Sequence, residues 1–207
     1  MKLIAVTQRV VVDGAHQERR DALDQRWSVF LHKCGLVPLL IPNQIESARE
    51  LIANVPIAGV LFTGGNDLVS MGGDAPERDE TEKMLLDWAM NQTMPVLGVC
   101  RGMQLIQSRF GVNLEPVPGH VAKKQEITIE RKKDTVNSFH NFGAYTTSPE
   151  LAIFAQAKDG VVKGIRHLSY PITALMWHPE RLAPFSERDI AIFQAVFDKE
   201  QVGSAQS

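Results

Sequence analysis

Two rhythms of apolar residues run along the chain. Short, mostly apolar runs recur at Leu3–Val6, Leu36–Ile41, Ala58–Phe62, Pro95–Val99 and Ile172–Trp177. Runs this short, bounded by polar residues, read as strands covered on both faces. Between them, apolar residues fall three or four apart. Arg19–Lys33 carries Leu23, Trp27, Phe30 and Leu31 on one helical face, with Gly35 placed to end it. Ser47–Asn54, Glu80–Gln92 and Met103–Phe110 read as further helices. Pro38, inside the second run, suits an edge strand or a strand start.

After Gly111 the rhythm changes. Gln125–Glu130 and Val161–Arg166 alternate apolar and polar residues, as half-exposed antiparallel strands packed beside a main sheet would. Ser186–Asp198 reads as the last helix, with Ser186 and Asp189 spaced as a capping box. Strands alternating with helices predict βαβ crossovers. The expected fold is α/β: a doubly wound, mostly parallel central sheet with flanking helices and a small antiparallel sheet. No repeat or long linker divides the chain, so one domain over 1–202 is expected, with 203–207 as a disordered tail.

Composition narrows the function. The 207 residues include 22 Lys and Arg against 24 Asp and Glu, a net charge of -2, which argues against an electrostatic nucleic-acid or membrane binder. Lys123, Lys124 and Arg131, Lys132 and Lys133 are the basic clusters, and Glu126, Glu130 and Asp134 interrupt them; a solvated strand edge is the better reading. No apolar run is long enough for a signal peptide or a membrane span, which makes the cytoplasm the expected compartment. Two cysteines, Cys34 and Cys100, are too few for a secreted disulfide scaffold. There is no CxxC pair and no HExxH, so no zinc site is expected, and nucleophilic chemistry at a cysteine needs no metal or other cofactor.

The chemistry concentrates at Gly98-Val99-Cys100-Arg101-Gly102, where a buried strand turns into a helix. Glycines flanking a residue in such a turn allow the strained backbone that lifts a nucleophile to the carboxyl end of a sheet. The following helix N-terminus favours a thiolate there. Cys34, in the last turn of an amphipathic helix, reads instead as core. A cysteine nucleophile needs a base and the base an orienting group. Trp177-His178-Pro179-Glu180 follows an apolar strand, which brings His178 to the same sheet edge and leaves Glu180 in position to hold its imidazole.

Three segments, Thr63-Gly64-Gly65, GVCRGMQ at 98–104 and WHPE at 177–180, together resemble class I glutamine amidotransferase domains over nearly the whole chain. The resemblance implies a flavodoxin-like sheet, a triad of Cys100, His178 and Glu180, and an oxyanion hole from the backbone N–H groups of Gly65 and Arg101. It also places Gln104 and Gly64 against the glutamyl group. Arg78-Asp79 with Glu82 and Lys83, and Val136-Asn137-Ser138-Phe139-His140, resemble the γ-glutamyl hydrolase (peptidase C26-like) branch. Members of that branch cut γ-glutamyl amides through a γ-glutamyl thioester and pass no ammonia to a synthase. In this reading Ser138 lines the substrate side. His140 either faces the leaving group or is a satisfied surface histidine. Arg78 and Asp79 either contact the amino-acid end of the substrate or cap the following helix. The stretch Arg19–Asp24 with Trp27 and Phe30 is similar to small bacterial members that belong to surface-polysaccharide gene sets and hydrolyse γ-glutamyl-CDP-amidate. The alternatives are a γ-glutamyl-aminobutyrate-type hydrolase, a glutaminase subunit serving a synthase, and a non-enzymatic binder of glutamyl ligands; a degenerate binder is expected to lose a triad member, and all three are present. The expected partner is a small γ-glutamyl substrate, with no nucleic acid and no membrane; a homodimer is the assembly left open.

Overall fold

The computed structural model describes residues 1–198, so the tail expected at 203–207 and the domain end at 202 lie outside the described residues. The chain opens with β1 (Lys2–Val6), then a hairpin of β2 (Arg9–Asp13) and β3 (Glu18–Ala22), then α1 (Arg26–Lys33) and β4 (Leu36–Leu40). The hairpin corrects the helix expected from Arg19. Residues 18–22 pair antiparallel with 9–13, and the helix begins only at Arg26. Physically, Glu18, Arg19, Arg20 and Asp21 offer no apolar stripe, whereas Val10, Val11 and Val12 favour a strand. Asp24 then closes on the first turn of α1, accepting from the Arg26 N–H at 3.0 Å.

Next come α2 (Ile45–Asn54), β5 (Val60–Phe62), α3 (Pro76–Asn91), β6 (Val96–Val99) and α4 (Arg101–Arg109). Pro76 opens α3 and Glu77 and Asp79 stand in its first turn, an arrangement that suits the helix dipole. The last third holds β7 (Glu115–Pro116), β8 (Val121–Ile129), β9 (Lys132–Phe139), β10 (Phe142–Gly143), β11 (Leu151–Ala157), β12 (Val162–His167), β13 (Ile172–Leu175) and α5 (Glu187–Phe197).

One sheet runs β4-β1-β5-β6-β13-β12-β11-β8-β9. From β4 to β13 every neighbouring pair is parallel. Pro38 does lie on an edge strand, β4, as its missing N–H requires. From β13 onward the pairs are antiparallel. The antiparallel strands expected beside the main sheet are therefore continuous with it, and the separate antiparallel sheets are two-stranded: β2-β3 and β7-β10. Nor is β12 half exposed: Val162, Lys163, Gly164 and Ile165 are all buried, because β12 sits inside the sheet between β13 and β11.

Alternation along the parallel strands feeds two cores. Leu61, Leu97, Val99 and Leu175 face α1 and α5, where Trp27, Phe30, Phe193 and Phe197 close one layer. Val60, Phe62, Val96 and Ala174 face the other way, onto Leu85, Leu86, Met103 and Ile106 of α3 and α4. Ser186 takes the N-cap of α5, but its side chain makes no capping bond. Asp189 is turned inward to accept from Trp177 Nε1 at 3.0 Å and Arg188 Nε at 2.9 Å, so the expected capping box is not formed. The parallel arrangement has one consequence for function. The loops after β1, β5, β6 and β13 all leave at the same sheet edge, where open α/β sheets bind ligands.

Candidate active site

Cys100 stands between β6 and α4 with φ 53° and ψ -104°, a backbone state that costs a non-glycine residue energy and marks functional turns. Its N–H donates to Leu175 O on β13 at 2.7 Å, which pins the elbow to the neighbouring strand. Gly102 is required by contact. A Cβ there would come within 2.3 Å of Phe62 O, so only glycine lets the start of α4 press against the end of β5. The Cys100 side chain is 6% exposed, and its Sγ lies 3.9 Å from Phe139 O at the end of β9.

His178 leaves β13 on the same edge. Nδ1 lies 2.8 Å from Glu180 Oε1, and both side chains are buried. A carboxylate at Nδ1 fixes the proton on that nitrogen and leaves Nε2 as the free one. Burial works against a charged imidazole here. The charge of Cys100 and a hydrogen bond to it, with the bond and charge of Glu180, outweigh burial and raise the His178 pKa to about 9. Asn137 holds the backbone of the same residue from both sides: His178 N–H donates to Asn137 Oδ1 at 2.8 Å, and Asn137 Nδ2 donates to His178 O at 2.7 Å. The sequence placed Asn137 in a motif but gave it no role. Its signal is the register of β9, whose end packs beside the histidine.

The loop after β5 completes the group. A Cβ on Gly64 would stand 2.6 Å from His178 Cε1 and 3.4 Å from Cys100 Cβ, so this glycine is in contact with both. The side chain of Arg9, from the start of β2, lies against Gly65. Neither Gly65 N–H nor Arg101 N–H donates to a protein acceptor among the described residues. Gln104 is buried on α4, with Nε2 donating to Phe142 O at 2.9 Å.

The remaining expected residues have other surroundings. Arg78 lies within the first turn of α3, with its guanidinium turned inward. It is completely buried beneath the loop, donating to the carbonyls of Thr63, Gly64 and Gly65 and to Glu82. Asp79 accepts from Val69 N–H at 3.1 Å and pairs with Arg101. A long polar side chain this deep has to satisfy its donors on backbone, which the sequence alone does not reveal. His140 is buried rather than on the surface. Its Nδ1 lies 2.9 Å from Phe142 O and its Nε2 2.6 Å from Lys163 Nζ. Burial, then the charge of Lys163, push its pKa down to about 3, so it is neutral and accepts from the lysine. Ser138 donates to His120 O at 2.7 Å and accepts from Lys163 at 2.9 Å. Lys163, 1% exposed on β12, was not legible as a site residue, since it occupies a polar place in an apparently alternating strand. Burial lowers its pKa to about 7 against the opposing pull of Asp159 and Cys100.

Among the described residues no three His, Cys, Asp or Glu side chains are grouped to hold a metal ion, and no helix is long and apolar enough to cross a membrane. A groove of about 600 Å³ is lined by Tyr170, Pro171 and Ile172 at the amino end of β13 and by α5. It opens at the sheet edge away from Cys100 and contains none of the expected site residues.

The fold is a glutamine amidotransferase-like α/β fold. The crystal structure of a GMP synthase subunit-like protein from Thermoplasma acidophilum superposes with a TM-score of 0.72 at 21% identity, over 96% of this chain and 95% of that one. The chain belongs to the Peptidase C26 family, which its residues 2–126 and 114–180 match. It is 30% identical over 185 residues to the gamma-glutamyl-CDP-amidate hydrolase of Campylobacter jejuni subsp. jejuni serotype O:2, covering 86% of this chain and 90% of that protein. It is 25% identical over 193 residues to the gamma-glutamyl-gamma-aminobutyrate hydrolase of Escherichia coli O157:H7, covering 74% and 76%.

Proposed function

We propose that this protein hydrolyses γ-glutamyl amides with Cys100 as nucleophile, His178 as general acid and base, and Glu180 as the group that orients His178. The observation that carries the reading is the contact of Gly64 with both Cys100 and His178, on a strained elbow and beside a carboxylate-held imidazole. Family membership supports the bond class.

In this mechanism the Cys100 thiolate attacks the γ-carbonyl carbon, and the carbonyl electron pair moves onto oxygen. The backbone N–H groups of Gly65 and Arg101 receive that oxyanion. Collapse breaks the carbon–nitrogen bond as the His178 imidazolium gives its proton to the departing nitrogen. Water then attacks the γ-glutamyl thioester while His178 takes a proton from it, and the Cys100 thiolate leaves with glutamate released. Each step uses groups of this chain alone, so the reaction runs without a metal, a cofactor or a synthase partner.

For the substrate, γ-glutamyl-CDP-amidate, with CDP-amidate as the leaving group, is the reading supported by the Campylobacter relative, whose length this chain covers nearly in full. In that reading the protein is a cytoplasmic enzyme of surface-polysaccharide modification. The test is a substrate panel with purified protein, measuring free glutamate from glutamine, γ-glutamyl amines and γ-glutamyl nucleotidyl amidates. The nucleotidyl amidate is expected to have the highest kcat/KM and glutamine to be slow. Preference for an aliphatic γ-glutamyl amine overturns the leaving group and keeps the bond class. Glutamate release only when a second protein is added overturns the free-standing hydrolase.

A further inference from the structure

Four buried charged residues under the elbow form a continuous network. Glu82 takes Arg78 Nε on Oε1 at 2.9 Å and pairs with Arg101 through Oε2. Arg101 also pairs with Asp79. Arg78, Glu82 and Arg101 are each 0% exposed. Burial alone would raise the Glu82 pKa, but Arg101, Arg78 and the Thr7 hydroxyl hold it below the ordinary carboxylate range, so the carboxylate is charged. A buried ion network is not needed for stability, since well-packed apolar residues serve as well or better. Its geometry accounts for it differently.

Arg78 spends its remaining donors on one loop: Nη2 on Thr63 O at 2.7 Å, Nη1 on Gly64 O at 3.3 Å and also on Gly65 O. The peptide between Gly64 and Gly65 is trans. In a trans peptide the carbonyl and the N–H point in opposite directions. Pulling Gly64 O down onto Arg78 therefore turns Gly65 N–H up and away from the buried network. The second donor of the proposed oxyanion hole, Arg101 N–H, belongs to the residue whose guanidinium the same Glu82 holds. One carboxylate thus ties together the two peptide groups that must face one oxygen atom.

We infer that Arg78 and Glu82 are positioning residues, which set the direction and spacing of the Gly65 and Arg101 backbone N–H donors without touching substrate. The inference rests on the hydrolase reading above. It predicts a defect confined to steps that build negative charge on the carbonyl oxygen. A misplaced donor acts like a missing one, and loss of one such donor costs roughly 10²–10³ in kcat.

The experiment compares two reactions at the same sulfur. Turnover of the best γ-glutamyl substrate builds an oxyanion, whereas alkylation of Cys100 by iodoacetamide does not. Arg78→Met and Glu82→Gln are expected to lower kcat about 10²-fold or more, with KM and the alkylation rate changed only a few-fold. Arg78→Lys, which keeps a cation and donors, is expected to recover part of kcat. Near-ultraviolet circular dichroism confirms folding, and Arg78→Lys and Glu82→Gln serve if Arg78→Met does not fold. Equal losses in kcat and alkylation, or folded variants with normal kcat, overturn the inference. A wild-type protein that alkylates but turns over no γ-glutamyl compound defeats the hydrolase reading instead.

Discussion

His178 Nδ1 and Glu180 Oε1 lie 2.8 Å apart in a site where the other oxygen of that carboxylate, Oε2, has no hydrogen-bond partner among the described residues. A buried, half-satisfied carboxylate is costly unless a positive charge compensates it. The imidazolium supplies that charge. Arg181, with Nε 3.3 Å from Oε1, is a second and partly exposed source.

Glu180→Gln therefore has two expected effects. It keeps the side-chain shape but removes the charge, so kcat falls by roughly 10²–10⁴ with KM little changed, as for an interaction made mainly in the transition state. It also shifts the pH profile. With the His178 pKa near 9, the proposed proton donor for the leaving nitrogen is lost as pH rises through that value, so wild-type activity is expected to decline there. Removing one cause of the raised pKa moves that alkaline limb to lower pH. The sign for stability agrees: His178 is raised above its unfolded pKa of about 6.5, so its contribution is complete below that pH and lost as pH rises through about 9. Steady-state rates between pH 5 and 10 on both proteins test this; a large rise in KM with kcat intact makes Glu180 a substrate contact.

Lys163 gives the opposite pH signature. Burial depresses its pKa to about 7, so between that value and the unfolded lysine near 10.4 the unfolded chain binds more protons. The wild type accordingly loses stability as pH falls from about 10 to about 7, and Lys163→Met does not share that loss. The variant gives up the bonds to Ser138 and His140 at every pH. The expected observation is a Tm difference that moves in the variant's favour as pH falls through this window. A difference independent of pH contradicts the burial of an ionisable amine.

The two thiols are expected to differ sharply toward alkylation. Burial, with a smaller push from Asp189, raises the Cys34 thiol to about 12, where little thiolate exists at neutral pH. Cys100 stands at the site edge beside an imidazole whose charge it favours. Peptide mapping after brief iodoacetamide treatment should find the label on Cys100 and none on Cys34. Label on Cys34 first reverses both assignments.

The sequence was most legible where a side chain's role is set by its neighbours in the chain. The elbow at Cys100 and the pairing of His178 with Glu180 two residues on are local, and the apolar strands that carry them to one edge are continuous runs. What was hidden depends on long-range register. Asn137 reaches His178 across 41 positions, and Lys163 reaches His140 across 23. Arg78 read as a substrate contact or a cap of the helix expected from Glu80, because nothing local says that three loop carbonyls lie above it. The hairpin at 9–22 was missed for a related reason. Its strands bury little, so they leave no clear apolar alternation, and Trp27 and Phe30 extended the helical pattern backward over it.

The central claim is a covalent γ-glutamyl intermediate on Cys100, and it can be seen directly. Purified protein is mixed with the best γ-glutamyl substrate, quenched in acid within one turnover, digested and analysed by mass spectrometry. The account predicts one added glutamyl group on the peptide containing Cys100, lost on treatment with hydroxylamine as a thioester is, and absent from Cys100→Ala along with all turnover. Turnover that survives in Cys100→Ala, or a glutamyl group found on any other residue of an active protein, contradicts it.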